Sequence, residues 1–375
     1  MKTLQMVDLV SQSKPIKKDI LEGIESLIDE AQYIGGQVVT EFSEALEQQL
    51  EVKHVIPCAN GTDALQIALM ALGLEPGDEV ICPSFTFVAT AEIARLLNLK
   101  ISFIDVDYQT FNLDIDQLEG LISDKTKAII PVHLFGQMTN MEELMKVAKA
   151  HGLFVVEDTA QSIGSWMEID GKKQFAGTIG DIGTTSFFPS KNLGAYGDAG
   201  ALYTNNKALA QRIKKITNHG MSKRYHYDCI GVNSRLDAFQ AIVLKVKLKH
   251  FDSYLKQRRW AADQYDRMLS PLEDVQCPVR NDFSFHVFHQ YTLRISNGKR
   301  DDLHAKLTSL GIPNMIYYPV PIHKQAAYAE AKCGSMTQTE QLSKEVLSLP
   351  MHTELELNQI EYICKAISDF ISTSN

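Results

Sequence analysis

Short apolar segments alternate with amphipathic segments from about residue 52 onward, and this alternation constrains the fold more than any other feature of the sequence. Seven apolar segments are predicted to be strands: 52–59, 79–84, 100–107, 127–136, 154–160, 184–189 and 200–204. Helices are predicted between them at 62–73, 87–98, 140–152 and 206–220. Strands that alternate with helices are typical of an α/β fold with a mostly parallel sheet. Because several strands are apolar throughout, we expect helices on both faces of that sheet.

The pattern changes after residue 234. A helical segment spans 234–269, and because a compact domain rarely contains so long a helix, we expect it to bend and to link two domains. One strand is predicted at 289–296, and helices are predicted after it at 300–310, 337–348 and 358–371. The chain of 375 residues also exceeds the size at which one core usually suffices. We therefore predict a large domain over residues 1–250 and a small α+β domain over 251–375, with a first helix near 17–31 that fits either domain.

Charge and composition exclude several classes of protein. The chain has 37 Lys and Arg against 46 Asp and Glu, a net charge of −9, and no block of basic residues. A protein that binds nucleic acid through its phosphates needs a clustered positive face, so that class is excluded. The first residues lack the apolar core of a signal peptide, and no segment reaches the roughly 18 apolar residues of a membrane span. We expect a cytoplasmic protein that has no membrane partner.

The cysteines and histidines do not form a recognisable metal site. The six cysteines lie at wide, irregular intervals without a C-x-x-C pair, which favours buried thiols over a zinc site or a disulfide framework. The eleven histidines have neither H-x-x-x-H nor H-E-x-x-H spacing. We therefore predict no metal in the functional site.

Asn60-Gly61-Thr62 is the first candidate site, because it lies where an apolar strand ends and a helix begins. Backbone N–H groups and the positive end of the helix point at one place at such a junction, which suits a phosphate. The alternative is an ordinary loop in which Thr62 caps the helix and Asp63 complements its dipole. On this segment alone the alternative is favoured.

Two further segments carry polar residues at strand ends. Asp158 ends a buried strand and Gln161 follows it, which places a carboxylate where open α/β sheets bind ligands. A strand-end Asp that only caps a loop is an equally good interpretation. Ser186 and Lys191 lie in a glycine-rich segment between two strands, which is not the pattern of a solvated helix face. Although a single lysine is usually a surface charge, its neighbours here favour a functional role.

These three segments together fit one cofactor, pyridoxal 5′-phosphate. That cofactor needs an anion site for its phosphate, a carboxylate beside its ring nitrogen and a lysine that forms a Schiff base with it. No G-x-G-x-x-G sequence is present, so a nicotinamide cofactor lacks its usual fingerprint.

A resemblance to a known protein family extends over nearly the whole chain. The segments ANGTDAL, EVICPSFTFVATAE, DVDYQTFNLD, AIIPVHLFGQ, VVEDTAQSIG, SFFPSKNLGAYGDAGA, GVNSRLDAFQA and YYPVPIHKQ resemble the DegT-type nucleotide-sugar aminotransferases. Within that family the chain is most similar to the UDP-2-acetamido-2-deoxy-3-oxo-glucuronate (3-keto sugar) aminotransferases. The resemblance implies a fold-type I α/β transferase with a mostly parallel, seven-stranded sheet between helices and a small C-terminal α+β domain. It also implies transfer of an amino group from L-glutamate, which leaves as 2-oxoglutarate, to C3 of a UDP-linked keto sugar in cell-surface polysaccharide or lipopolysaccharide synthesis.

The same resemblance assigns catalytic and cofactor-binding roles. It implies that Lys191 forms the Schiff base and carries protons, while Asp158 pairs with the ring nitrogen. The other residues implied to contact the cofactor within the same chain are Gly61, Thr62, Phe87, Gln161 and Ser186. Asn233 is implied to reach the phosphate from the partner subunit of a homodimer, so that each active site is shared.

Substrate contacts are predicted at three positions. Tyr318 and His323 occupy places that the resemblance puts near the sugar, whereas Tyr317 replaces a histidine common in relatives. Arg235 suits a diphosphate or the glutamate carboxylate because its planar guanidinium binds such groups with two hydrogen bonds. A salt bridge on a helix surface is an equally good interpretation of Arg235.

Other functions remain open. The first alternative is an aminotransferase that acts at C4 of a 4-keto-6-deoxy nucleotide sugar. A pyridoxal-phosphate-dependent sugar dehydratase is disfavoured, because that branch has histidine at the position of Lys191. A non-catalytic regulatory homologue is disfavoured by the full set of cofactor-binding residues.

Overall fold

The structure is a computed structural model and describes residues 3–373. The helices in that range are α1 (Leu9–Ser13), α2 (Lys17–Glu30), α3 (Gln37–Leu50), α4 (Gly61–Leu72), α5 (Ala89–Leu96), α6 (Leu118–Leu121), α7 (Met141–His151), α8 (Lys207–Ile216), α9 (Ala238–Leu248), α10 (Phe251–Leu269), α11 (Arg300–Ser309), α12 (Thr337–Glu345) and α13 (Leu357–Thr373). The strands are β1 (His54–Cys58), β2 (Glu79–Pro83), β3 (Lys100–Ile104), β4 (Thr126–Ile129), β5 (Phe154–Asp158), β6 (Trp166–Ile169), β7 (Lys172–Phe175), β8 (Ile182–Ser186), β9 (Gly200–Thr204), β10 (Met221–Lys223), β11 (His226–Tyr227), β12 (Val275–Gln276), β13 (Ser284–Phe285), β14 (Tyr291–Ile295), β15 (Lys332–Cys333) and β16 (Val346–Leu349).

The central sheet has the order β1-β9-β8-β5-β4-β2-β3-β15. Its strands pair in parallel except around β9, which is antiparallel to both β1 and β8. The prediction of a mostly parallel sheet is therefore confirmed, and all seven predicted strands are present. The number seven is too low, however, because β15 adds an eighth strand beside β3. Two residues are too few to show a hydrophobic period, so the sequence pattern does not reveal β15.

Helices cover both faces of this sheet. Val80 and Cys82 of β2 belong to a core that also includes residues of α4, α5 and α8, whereas Ile81 between them faces a core with residues of α6 and α7. Successive side chains of a strand point to opposite faces, so a strand buried on both faces must be apolar throughout. Each aliphatic side chain fully buried in this way contributes about 1.5–3 kcal/mol.

The helical segment 234–269 consists of two helices. α9 ends at Leu248 and α10 begins at Phe251, which confirms the expected bend. Phe251 and Leu255 pack in the core beneath the sheet, while Tyr265 and Leu269 pack in a separate C-terminal core. α10 therefore physically connects the two cores.

The C-terminal core surrounds the antiparallel sheet β12-β14-β16 and includes residues of α11 and α13. The predicted helix 337–348 is too long, because α12 ends at Glu345 and β16 follows it. The apolar side chains of β16 are all buried and pair with β14, so tertiary packing outweighs helical propensity there. Residues 322–336 return to the first core, to which Ile322 and Tyr328 contribute side chains. Domain limits of 1–250 and 251–375 stay a prediction.

The N-terminal segment packs on α9, since Ile16 and Ile20 form a small apolar cluster with Val243 and Val246 of that helix. Leu4 instead belongs to the C-terminal core. Within residues 3–373, none of the helices combines the length and the apolar character that crossing a bilayer requires.

Candidate active site

A cavity of about 510 Å³ opens at the carboxyl ends of the central strands. Asp158 ends β5, Ser186 ends β8 and Thr62 lies at the start of α4, and all three line the cavity. Parallel topology brings these ends to one edge of the sheet, where open α/β folds bind ligands. Eight of the eleven residues predicted from the sequence line the cavity: Gly61, Thr62, Phe87, Asp158, Gln161, Ser186, Lys191 and Tyr318.

The first turn of α4 forms the anion-binding wall. Asn60 is the N-cap, since its side chain accepts a hydrogen bond from the Asp63 N–H at 2.8 Å. The alternative in which Thr62 caps the helix is therefore wrong, and Thr62 lies inside the helix at the cavity wall. A Cβ at Gly61 would lie 2.6 Å from the Cβ of Ser186, so only glycine allows β8 to approach this closely. Uncapped N–H groups of a first helical turn point outward and attract anions.

Asp158 is a buried carboxylate in the cavity wall, with 5% of its surface exposed. Its Oδ2 accepts a hydrogen bond from the Thr90 hydroxyl at 2.9 Å, and its Oδ1 accepts one from the Ala160 N–H at 3.0 Å. Burial raises the pKa of Asp158, while these hydrogen bonds and the charge of Lys191 oppose the rise. A carboxylate held by two donors keeps a fixed orientation, which suits it to partner a cationic ring nitrogen.

Lys191 lies in the same cavity, in the segment that follows β8. Its backbone N–H donates to the Phe188 carbonyl at 2.8 Å, which fixes the turn that presents the side chain. Burial lowers the pKa of Lys191 to about 8, and the charge of Asp158 partly opposes this. A lysine whose pKa is lowered in this way is partly unprotonated near neutral pH and can act as a base.

Gln161 connects two parts of the cavity wall. Its Oε1 accepts a hydrogen bond from the Phe135 N–H at 2.8 Å, and its Nε2 donates to the Tyr318 hydroxyl at 3.1 Å. Tyr318 therefore lies within the site although it comes from the C-terminal part of the chain. Phe87 also lines the cavity and is 57% exposed, so its ring is available for stacking on a planar ligand.

Three predicted residues do not line the cavity of this chain. Asn233 and Arg235 are exposed, and a guanidinium nitrogen of Arg235 lies 3.4 Å from the Oδ1 of Asn218. The ring of His323 has its Nδ1 2.7 Å from the Ser84 hydroxyl and its Nε2 3.3 Å from a carboxylate oxygen of Glu340. Both ring nitrogens of His323 therefore have protein partners.

The profile of the DegT/DnrJ/EryC1/StrS aminotransferase family matches residues 14–368. The chain belongs to this family. Membership confirms the α/β fold and the pyridoxal-phosphate-dependent nucleotide-sugar aminotransferase class that the sequence predicts.

Three curated relatives illustrate the range of the family. The chain is 43% identical to a "pleiotropic regulatory protein" of Geobacillus stearothermophilus, over 97% of this chain and 98% of that protein. It is 42% identical to the UDP-2-acetamido-2-deoxy-3-oxo-D-glucuronate aminotransferase of Pseudomonas aeruginosa, over 98% of this chain and 100% of the relative. It is also 42% identical to the UDP-N-acetyl-3-dehydro-alpha-D-glucosamine 3-aminotransferase of Acidithiobacillus ferrooxidans, over 97% of each chain.

Solved structures of the family have the same architecture. A DegT/DnrJ/EryC1/StrS aminotransferase from Brucella abortus superposes with a TM-score of 0.93 at 38% identity, over 98% of this chain and 99% of that chain. NtdA from Bacillus subtilis, with bound cofactor PMP, superposes with a TM-score of 0.88 at 30% identity, over 96% and 82% of the two chains.

The residues in the cavity of this DegT/DnrJ/EryC1/StrS aminotransferase fit pyridoxal phosphate. A helix N-terminus with Thr62 and Ser186 provides donors for a phosphate, and the contact at Gly61 leaves no room for a side chain there. Asp158 and Lys191 supply the carboxylate and the amine that the cofactor chemistry needs.

Sequence reasoning missed several residues of this family member's cavity. Ser190, Asp198, His289 and Gln290 line it, and Tyr317 joins Tyr318 from the C-terminal part of the chain. His289 and Gln290 immediately precede β14. A polar pair directly before a buried strand is the sequence signal that could have indicated a place at the site. Tertiary folding alone reveals that the pair faces a cavity built mainly by residues before position 200.

Proposed function

We propose that this protein transfers an amino group from L-glutamate to C3 of a UDP-linked 3-keto sugar that supplies cell-surface polysaccharide synthesis. The observation that carries the proposal is the meeting of Lys191, Asp158 and the first turn of α4 in one cavity. The two relatives at 42% identity whose names specify a UDP-linked 3-keto sugar support the choice of substrate.

Bound pyridoxal phosphate supplies an electron sink for the substrate carbon that loses or gains a proton. In our proposal the first turn of α4, with Gly61, Thr62 and Ser186, binds its phosphate. Asp158 would accept a hydrogen bond from the protonated ring nitrogen and stabilise its positive charge. Phe87 would pack against the ring face and Gln161 would contact the phenolic oxygen, so these two side chains would orient the ring.

Lys191 moves the proton in both halves of the reaction. Because burial brings its pKa to about 8, the amine is partly unprotonated near neutral pH and accepts a proton from the substrate carbon at its Nζ. The resulting ammonium then returns the proton to a neighbouring carbon. L-glutamate leaves as 2-oxoglutarate before the keto sugar binds, so one cavity and one base serve both substrates in turn.

The proposed enzyme is a homodimer with shared active sites. Lys191 is the one cation among the described residues that line the cavity, which also contains Asp158 and Asp198. A cofactor phosphate, a nucleotide diphosphate and a glutamate carboxylate require more positive and hydrogen-bonding groups than this. Asn233 and Arg235 are exposed on a single chain and are proposed to serve the cavity of the partner subunit.

The predicted substrate contacts differ in how the structure supports them. Tyr318 lies in the cavity and is proposed to contact the sugar. His323 lies outside it and has hydrogen-bond partners on both ring nitrogens, so its role near the sugar rests on the family resemblance.

A regulatory homologue is the second candidate, because the relative at 43% identity carries the name of a regulatory protein. Spectroscopy separates the two candidates. The aminotransferase binds pyridoxal phosphate with a visible absorption band, and borohydride then links the cofactor covalently to Lys191. Retention of that linkage in Lys191→Ala contradicts the assigned role.

A panel of keto sugars linked to UDP, dTDP or GDP tests the substrate. Each sugar is incubated with the holoenzyme and L-glutamate, and NMR identifies the aminated carbon. We expect UDP-linked 3-keto-2-acetamido sugars to react fastest. A preference for 4-keto-6-deoxy sugars contradicts the C3 proposal, and the absence of transfer to any sugar favours the regulatory candidate.

A further inference from the structure

Two segments that carry the family resemblance, DVDYQTFNLD (105–114) and AIIPVHLFGQ (128–137), have no part in the proposed reaction. Of their residues, all of which the structure describes, only Val132 lines the cavity. The two segments are nevertheless joined to each other by a buried asparagine, Asn112, which is 3% exposed. A buried amide that is bonded through both its oxygen and its nitrogen fixes the place of the backbone that it contacts.

Asn112 bonds both ends of the tight turn from Leu134 to Gln137. Its Oδ1 accepts a hydrogen bond from the Leu134 N–H at 3.0 Å, and its Nδ2 donates to the Gln137 carbonyl at 3.1 Å. Within the turn, φ is 56° at Phe135 and 111° at Gly136, so both residues are in the left-handed region. A residue with a side chain, such as Phe135, keeps that conformation only where the surrounding contacts hold it. Asn112 supplies two of these contacts.

The same turn sets the orientation of the Gln161 amide. The Phe135 N–H donates to the Oε1 of Gln161 at 2.8 Å. Because a backbone N–H can only donate, the oxygen of the amide must face Phe135 and its nitrogen must face the other way. That nitrogen, Nε2, donates one hydrogen to the Tyr318 hydroxyl at 3.1 Å and carries a second one. Gln161 therefore presents a donor, and not an acceptor, to a ligand in the cavity.

The strand side of the turn is held independently of Asn112. The Nδ1 of His133 accepts a hydrogen bond from the Thr139 N–H at 3.1 Å, and its Nε2 lies 2.9 Å from the Oε2 of Glu157. The backbone N–H of His133 donates to the Asp158 carbonyl at 3.1 Å. We therefore expect loss of the Asn112 amide to loosen the turn and to leave the segment that leads into it in place.

We propose that Asn112 is a positioning residue that, through the turn from Leu134 to Gln137, holds the Gln161 amide with its N–H group toward the phenolic oxygen of pyridoxal phosphate. Asn112 does not line the cavity, so it acts only through Gln161. The inference rests on the proposed place of Gln161 beside that oxygen. An amide turned the other way would set its own oxygen against the phenolic oxygen, and the two would repel each other.

Asn112→Leu tests the proposal, because leucine has the same branched outline and forms neither hydrogen bond. Asn140→Leu is the matched control. Asn140 follows the turn shortly afterwards and caps α7, where its side chain accepts a hydrogen bond from the Glu143 N–H at 3.4 Å. The control therefore removes an asparagine hydrogen bond from the same region without touching the turn. Thermal unfolding of both variants checks that the fold is intact.

Hydrogen exchange of the cofactor-free protein, followed by mass spectrometry, measures whether Asn112 holds the turn. We expect the amides of residues 134–137 to exchange roughly tenfold faster in Asn112→Leu, because the Leu134 N–H loses its acceptor and the turn opens more often. Asn140→Leu is expected to leave their exchange unchanged. This measurement needs neither cofactor nor substrate.

The visible absorption band of bound pyridoxal phosphate then measures the orientation of Gln161. This band changes with the protonation of the nitrogen that joins the cofactor to Lys191. A donor to the phenolic oxygen draws negative charge away from that nitrogen, so loss of the donor raises the pKa of the nitrogen. We expect Gln161→Met to raise this pKa by about 1 pH unit, and Asn112→Leu to raise it by a similar or smaller amount. In the double variant, Asn112→Leu should add nothing to the effect of Gln161→Met.

Three outcomes overturn the proposal. Unchanged exchange of residues 134–137 in a folded Asn112→Leu protein means that Asn112 does not hold the turn. An unchanged pKa of the cofactor nitrogen in either single variant means that the amide is not oriented toward the phenolic oxygen. Additive effects in the double variant mean that Asn112 acts by a route other than Gln161. If the wild type binds the cofactor and aminates no keto sugar, while the two effects are not additive, the proposed function fails and the positioning role stands.

Discussion

Asp158 and Lys191 control each other's ionisation at the scale of single residues. Asp158 ends β5 and Lys191 follows β8, the parallel neighbour of β5. Burial lowers the pKa of Lys191 to about 8 and raises that of Asp158, and the attraction between the two charges opposes both shifts. Each group therefore favours the charged state of the other, which the proposed reaction requires.

Replacing Asp158 with Asn is expected to lower the pKa of Lys191 below about 8, because the opposing charge is lost. Amine transfer should fall by about 100-fold or more at saturating pyridoxal phosphate, as for other preorganised charged groups. The pH dependence of the reductive methylation of Lys191 gives its pKa. The steady-state rate gives the loss of amine transfer. Asp198→Asn, an exposed acid in the same cavity, is the control. An unchanged Lys191 pKa in Asp158→Asn contradicts the coupling.

Gly61→Ala tests the phosphate site. The new Cβ would lie 2.6 Å from the Cβ of Ser186, so α4 and β8 must move apart. We expect the Kd for pyridoxal phosphate to rise by about tenfold or more, since displaced donors weaken charge-assisted hydrogen bonds. Gly120→Ala on α6 is the matched control, because a Cβ there meets nothing within 4 Å. Equal cofactor affinity in the two variants, measured by fluorescence titration, argues against phosphate binding beside Gly61.

At the scale of elements, α9 fixes the segment that carries Lys191. Lys247 of α9 is 1% exposed, and its Nζ donates to the Gly194 carbonyl at 2.7 Å. The same ammonium lies 4.7 Å from the centre of the Tyr196 ring. Burial lowers the pKa of Lys247 to about 8. A buried lysine thus holds the loop after β8, and its charge makes that contact sensitive to pH.

Lys247→Met is expected to change how stability depends on pH. An unfolded lysine keeps its proton up to about pH 10.4, whereas folded Lys247 releases it near pH 8. Between these values the unfolded state binds more protons, so the wild type gains stability as the pH rises. The free energy of unfolding of the wild type, relative to Lys247→Met, should therefore increase by about 2–3 kcal/mol from pH 8 to pH 10.

Urea denaturation at several pH values measures this difference, and contributions from Lys191 cancel because both proteins contain it. The exposed Lys249 at the end of the same helix provides the control substitution, Lys249→Met. A wild-type to Lys247→Met difference that does not vary with pH contradicts a buried, readily neutralised lysine.

At the scale of the whole molecule, the cavity of one chain is incomplete for the proposed substrates. The negative groups of the proposed ligands outnumber Lys191, the single cation that residues 3–373 contribute to the cavity lining. The exposed segment around β10 and β11 also carries large apolar side chains, with Tyr225 73% and Ile230 85% exposed. A group of exposed apolar side chains with polar side chains around it is typical of a surface that contacts another chain.

Hybrid dimers test the sharing of active sites. Lys191→Ala and Asn233→Ala protomers are each expected to be nearly inactive alone. When they are mixed and allowed to exchange, a hybrid has one site with both wild-type residues, if Asn233 serves the partner. Random pairing then restores about a quarter of wild-type activity, since half of the dimers have one intact site. No recovery after confirmed exchange contradicts a shared site.

The sequence alone determined much of the fold and the chemical components of the site. Strands such as β2 and β9 are apolar throughout and flanked by amphipathic helices, and these local patterns predict a mostly parallel sheet without reference to any contact. Lys191 stands out locally because its segment lacks the pattern of a solvated helix face, whereas Asp158 gains its interpretation only when it is taken together with the other segments.

Only the tertiary structure decided how distant segments meet. β15 has two residues and forms because β3 offers a free edge, and β16 is a strand because β14 pairs with it. His289 reaches the cavity because Arg258 and Gly136 hold its backbone there, although neither residue is near it in sequence. Periodicity and propensity report interactions within a few residues, whereas strand pairing and cavity walls depend on long-range packing that local patterns do not contain.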